Sequence, residues 1–254
     1  MNQFVELSSD KHSQLRLKKN ALLAHAATQQ ALPIEAVEVT KAATSFPVFC
    51  AKNQHGEMTL SAVAGLSAGT SLFMKGEQWD GTYLPSTLQV YPFYLIPSPG
   101  KEKDYTVGIQ EDNPAFSTEE GEPLFDENGQ ATKHLEQVSN RLAAELVNIQ
   151  ATVKMMNALT RLDLFKPIEL IVQYQDKTAK RINGLYSIDD EKLSKLPANE
   201  LAELNKEGFL VVVHAMLISV FQVNNLVRRH NESGAQDKVV SIQVTQPQDA
   251  GEAA

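Results

Sequence analysis

LEQVSNRLAAELVNIQATVKMMNAL, residues 135–159, decides the architecture of this chain. Leu135, Val138, Leu142, Leu146, Ile149, Val153, Met156 and Leu159 recur at spacings of 3, 4, 4, 3, 4, 3 and 3. Such spacing puts them in one apolar stripe on a helix. The pattern predicts a helix over residues 131–162, about eight to nine turns at 3.6 residues each. Pro167 closes it. IELIVQYQ (168–175) and AKRINGLYSI (179–188) follow as two strands, with Asp176-Lys177-Thr178 as the turn of a hairpin.

Upstream of the helix the pattern is short and strand-like. AVEVTKA, FPVFCAK, MTLSAVAGL and SLFM lie between turn formers from Ile34 to Leu72 and just beyond, and LQVYPFYLI and DYTVGIQ flank the loop Pro97-Ser98-Pro99-Gly100. Pro92 cannot donate to a ladder, which suggests an edge strand or a strand start. Downstream, Asp189-Asp190-Glu191 opens a short helix with acid in its first turn, Pro197 opens a second, and Gly208 ends it. An apolar helix then runs from Phe209 to about Arg228-Arg229-His230, and VVSIQV (239–244) offers one more strand. The fold class is therefore α+β: a strand-rich N-terminal half packed with a long amphipathic helix and a helical C-terminal third. The expected organisation is an arm and short amphipathic stretch over 1–30, a single domain over 31–231, and a mostly disordered tail over 232–254.

Composition narrows the function. The net charge is −8, and residues 102–127 hold nine acidic side chains against Lys103 alone, so one segment carries the imbalance. An acidic chain repels phosphate backbones, which argues against nucleic acid as a partner; the acidic run reads as a solvated loop. The most apolar segment, Gly208–Val223, has 16 residues and carries His214, Ser219 and Gln222. It falls short of the roughly 20 residues of a membrane span, so no transmembrane segment is expected. The N-terminus does not read as a secretory signal. One cysteine, Cys50, excludes an internal disulfide and multi-cysteine metal sites, and a cytoplasmic address is expected. The six histidines are scattered singly, no phosphate-cradling glycine motif or nucleophile elbow is present, and no cofactor or metal is expected. Asp126 and Asn128 begin like a calcium loop, but Gly129 sits fourth and Gln137 twelfth, where that loop needs glycine sixth and glutamate twelfth. Cys50 reads as a buried inert thiol, and His214 as a core histidine bonded to a carbonyl or carboxylate.

WDGTYLPSTLQVYPFYL (79–95) holds the only Trp and three of the six Tyr. With Leu72-Phe73 before it, the stretch resembles an aromatic-proline block of the SapC family of bacterial proteins. Phe46-Pro47-Val48-Phe49, Gly121-Glu122-Pro123-Leu124-Phe125-Asp126, Ile182–Asp189 and Leu204–Leu217 are similar to further family segments, in the same order. The chain departs from the family at Gln89-Val90, where a basic pair is common. It departs again at Val213–Met216, where the histidine is shifted by one position, about 100° around a helix. The resemblance implies a role beside a bacterial surface layer, an export system or outer-membrane uptake, and supplies no catalytic residues. The membrane permease of peptide transporters that shares the name is a different kind of protein.

Two functions are expected from different classes. One is a soluble accessory protein, leaning to no enzymatic activity, that binds a protein partner of a surface or export system; homo-oligomerisation and peripheral association with that system stay open. The other is an enzyme or small-molecule binder for saccharide- or flavin-like ligands, with an aromatic-lined pocket. The candidate binding residues are Trp79, Asp80, Tyr83, Tyr91, Phe93, Tyr186 and Asp189, chosen because aromatics supply contact area and a few polar groups orient a ligand. A third reading of the stretch makes it a structural wedge between the strand-rich half and the long helix.

Overall fold

A computed structural model describes residues 4–98 and 104–247. In chain order they form β1 (Val5–Glu6), α1 (Ser9–His12), β2 (Arg16–Leu17), α2 (Ala21–Ala27), β3 (Ala31–Pro33) and α3 (Val39–Ala42). Next come β4 (Val48–Lys52), β5 (Met58–Val63), β6 (Met74–Lys75), β7 (Gln78–Trp79), α4 (Ser86–Gln89), β8 (Tyr94–Pro97) and β9 (Tyr105–Ile109). Then follow β10 (Phe116–Ser117), β11 (Glu122–Pro123), α5 (Lys133–Arg161), β12 (Phe165–Tyr174) and β13 (Ala179–Ile188). The chain closes with α6 (Asp190–Ser194), α7 (Ala198–Lys206), α8 (Phe209–Ser219), α9 (Val223–Glu232) and β14 (Val239–Thr245). The class is α+β, with the strand-rich first half, the long helix and the helical C-terminal region that the periodicities predict.

By its contacts the chain groups into two compact units. The first joins Met1–Ala26 to Ser86–Ile149, so the N-terminal arm is part of a folded body. It has two small antiparallel sheets, β1-β9-β8 and β10-β2-β11. Its core is built from Val90, Phe93, Ile109, Phe116, Leu124, Leu135, Val138 and Leu142, with the Phe93 and Phe116 rings edge to face at 5.7 Å. Much of the acidic segment is ordered here: its described part carries β9, β10 and β11, and Glu111 meets His12 at 3.1 Å.

The second unit, Ala27–Pro85 with Gln150–Ala254, is built on a six-stranded antiparallel sheet in the order β14-β12-β13-β4-β5-β3. The predicted hairpin supplies its second and third strands, with Lys177 at φ 72° in the turn. The register slips between Ile168 and Leu170, where Asn183 and Gly184 (φ 81°) both stand opposite Glu169. Such a bulge needs a residue free to adopt positive φ, which glycine supplies. Glu169 is buried there and is ion-paired to Arg181. The tail contributes β14, paired with β12 from Glu169↔Thr245 to Tyr174↔Val239. Residues 248–254, Pro99-Gly100 and the Glu102-Lys103 end of the acidic run lie outside the described residues.

Local misreadings have local causes. AVEVTKA is helical, not a strand: Glu38 reaches back to the Glu35 N–H at 2.8 Å, the two form a capping box, and Val39 and Ala42 turn inward three residues apart. LQVYPFYLI begins as helix α4 and becomes a strand only at Tyr94, after a cis Tyr91–Pro92 peptide. On α5, whose predicted bounds differ from the observed ones by two residues at most, the stripe is not continuous. Leu135, Val138 and Leu142 are buried, Ile149 and Val153 are exposed, and Thr152, Met155, Met156 and Leu159 form the buried face of the C-terminal half. Each half of the helix buries its own set of positions within its own unit.

Candidate functional site

β6 and β7 form a hairpin that turns through Gly76 (φ 60°) and carries Trp79. The indole stacks beside Phe46 (6.2 Å) and Phe73 (5.9 Å), and its Nε1–H donates to the Tyr83 carbonyl at 3.0 Å. That closure requires Gly81, because a Cβ there would lie 2.7 Å from Nε1. The Tyr83 hydroxyl donates to the buried Glu38 carboxylate at 2.5 Å. Asp80 accepts from Arg229 at 2.8 Å through its side chain and at 2.6 Å through its carbonyl. The Arg229 guanidinium, 11 % exposed, lies 4.2 Å over the Phe73 ring. Trp79, Asp80 and Tyr83 therefore come together, and each is spoken for by a protein partner.

The other four candidates lie elsewhere. Tyr91 and Phe93 belong to the first unit: the Tyr91 ring stacks on His25 at 3.8 Å, its hydroxyl donates to Asn113 at 2.9 Å, and Phe93 is core. Asp189 is the N-cap of α6 and accepts from the Lys192 N–H at 3.0 Å. Tyr186, on β13, faces a different recess of about 490 Å³ in the second unit, bounded by the last turns of α5 and the β4–β5 hairpin. The Lys52 ammonium stands 5.3 Å above the Tyr186 ring there. Asp80 and Arg229 edge a second recess of about 460 Å³ with Lys75 and Glu232.

Groups read as inert or buried from sequence divide. Cys50 is buried in β4, and burial pushes its thiol up to about 12, so almost no thiolate forms near neutrality. His214 makes the expected bond to a carbonyl, Leu210 O at 2.6 Å, but it is exposed rather than core. Among the described residues no three His, Cys, Asp or Glu side chains meet in a metal-ligating group.

Sequence reasoning missed the outer face of α8. Phe209, Val213, Met216 and Ser219 are buried, with the Ser219 hydroxyl accepting from the Val48 N–H at 2.9 Å, yet Val211 and Ile218 are 62 % and 67 % exposed, and Phe221 just beyond is 75 % exposed. The signal was present: a helix apolar on all sides has more apolar surface than one core can cover. By length and composition the helical run Phe209–Glu232, 24 residues, is also sufficient to cross a bilayer, because it continues past the 16-residue apolar stretch.

The family model for SapC matches residues 7–226. The chain belongs to the SapC family. Comparison with curated proteins and with solved structures gave no match. In this SapC-family chain the aromatic-proline block spans the boundary between the two units, with Pro85 closing one side and Ser86 opening the other.

Proposed function

We propose that this SapC-family chain is a non-catalytic binding protein that docks a protein of a bacterial surface-layer, export or outer-membrane uptake system through the outer face of α8. The carrying observation is the exposure of Val211 and Ile218 on α8 and of Phe221 just beyond it, which with the exposed His214 between them recur at spacings of three or four residues. Exposed apolar patches of this kind mark sites of association. A protein partner suits the patch better than an anionic lipid surface, because a chain of net charge −8 is repelled by such a surface. The run Phe209–Glu232 stays packed in its unit on this reading: Val213, Met216, Val223 and Leu226 fill the core, and α8 packs against α3, α7, β4 and β13. The aromatic block is structural on this reading, since Trp79 and Tyr83 are engaged within one unit and Phe93 in the core of the other.

The test compares the wild-type chain with a Val211→Ser/Ile218→Ser/Phe221→Ser variant as baits in the native host. All three sites are exposed, so the variant should keep its melting temperature. A surface-layer, export or outer-membrane receptor protein enriched by the wild type and lost with the variant is the expected result. Equal recovery by both, or recovery of the wild type as an integral membrane protein resistant to carbonate extraction, overturns the reading.

A further inference from the structure

The recess beside Tyr186 lies within one unit, and its volume of about 490 Å³ falls in the range of small-molecule sites. One side is apolar: Val153, Met156, Met58 and Phe165 line it, which also accounts for a valine left 52 % exposed on α5. The rim is polar. Lys52, Asn157 and Tyr186 stand on it, and among the described residues none of their side chains makes a hydrogen bond or ion pair, the ammonium having only the Tyr186 ring beneath it. Other polar groups of the lining are engaged: Thr59 donates to Ala51 O at 3.0 Å, Thr160 to Met156 O at 2.8 Å, Glu57 accepts from Asn53 at 2.9 Å, and Asp163 pairs with Lys192.

The balance of these groups selects a ligand class. Lys52 supplies donors only, Asn157 and Tyr186 supply both donors and acceptors, and the second oxygens of Glu57 and Asp163 add acceptors. An anion would meet two carboxylates for one ammonium, and a purely apolar guest would leave the rim unmatched. A pyranose ring has what the recess asks for: a C–H face for Val153, Met156 and Phe165, and a hydroxyl rim that both donates and accepts. We propose that this recess is a binding site for an uncharged saccharide, with Tyr186, Asn157 and Lys52 as its orienting groups. It is independent of the α8 face, which shares none of its residues.

Saturation-transfer NMR on the full chain tests it, with methyl α-glucoside, galactose, N-acetylglucosamine and maltose as probes and benzoate as the anionic control. Asn157→Ala and Lys52→Gln sit at exposed positions and should fold as the wild type does, and Tyr186→Phe keeps the ring while removing the hydroxyl. The expected result is transfer to at least one sugar, with affinity at least five-fold weaker in Asn157→Ala and in Tyr186→Phe. No transfer to any sugar overturns the proposal. So does transfer unchanged in all three variants, or a preference for benzoate that depends on Lys52.

Discussion

Arg229 is held by a stacked Phe73 ring and two contacts to Asp80, while its Nε has no partner among the described residues. Asp80 was legible as a special residue in a tight aromatic turn, but its role was not: the arginine that engages it lies 149 positions away, and spacing carries no trace of such a pair. Removing the arginine strips packing from Phe73 and leaves both Asp80 acceptors to water. Arg229→Ala should lower unfolding free energy by about 2 kcal/mol, below the range for fully buried pairs because Asp80 is half exposed. Asp80→Asn, which keeps the carbonyl acceptor, should cost less than about 1 kcal/mol; urea denaturation distinguishes them. His25 offers a second residue-level test. Burial against Tyr91 lowers its pKa from 6.5, so near and below that value the unfolded chain binds more protons than the folded one. Its contribution is fully present above about pH 6.5 and is lost as the pH falls through that value towards the depressed one. Melting temperatures measured between about pH 5 and 7 should show a shallower decline for His25→Gln than for the wild type.

Elements were readable where their periodicity was long. The α5 stripe and the β12–β13 hairpin each repeat their pattern over ten residues or more, enough for the period to stand out from noise. Short pieces were readable less evenly: FPVFCAK, MTLSAVAGL, DYTVGIQ and VVSIQV do hold strands, but AVEVTKA alternates like a strand, and only the Glu35–Glu38 capping box, a contact of side chains with backbone, turns it into a helix. The same physics makes Asp189 legible in the opposite sense. A triplet of acids at a helix start suggested either a ligand site or a cap, and the structure gives Asp189 the cap. Asp189→Ala should therefore cost about 1 kcal/mol in stability, and Asp189→Ser should recover most of it. A ligand role would be indifferent to that rescue, so paired thermal denaturation of the two variants separates cap from site.

At the scale of the whole molecule, the periodicities gave a sound class, while each of the two units is assembled from segments far apart in the chain. Residues 79–83 and 91–93, adjacent in sequence, serve different cores for that reason, and no pocket could be read from their closeness along the chain. The recess beside Tyr186 was equally hidden, since it joins Lys52, Asn157 and Tyr186 from three distant stretches. The strand order carries a further consequence for how the chain comes into being. β12, apolar from Ile168 to Val172 apart from Glu169, has one edge covered by β13 and the other by β14. A nascent chain releases the hairpin well before residues 239–245, and at about 5–20 residues per second the uncovered edge waits on the ribosome for seconds. An open apolar strand edge invites pairing with another chain. Pairing of β14 with β12 closes that edge, so the interval between release of the hairpin and of residues 239–245 is when the sheet is most open to mispairing.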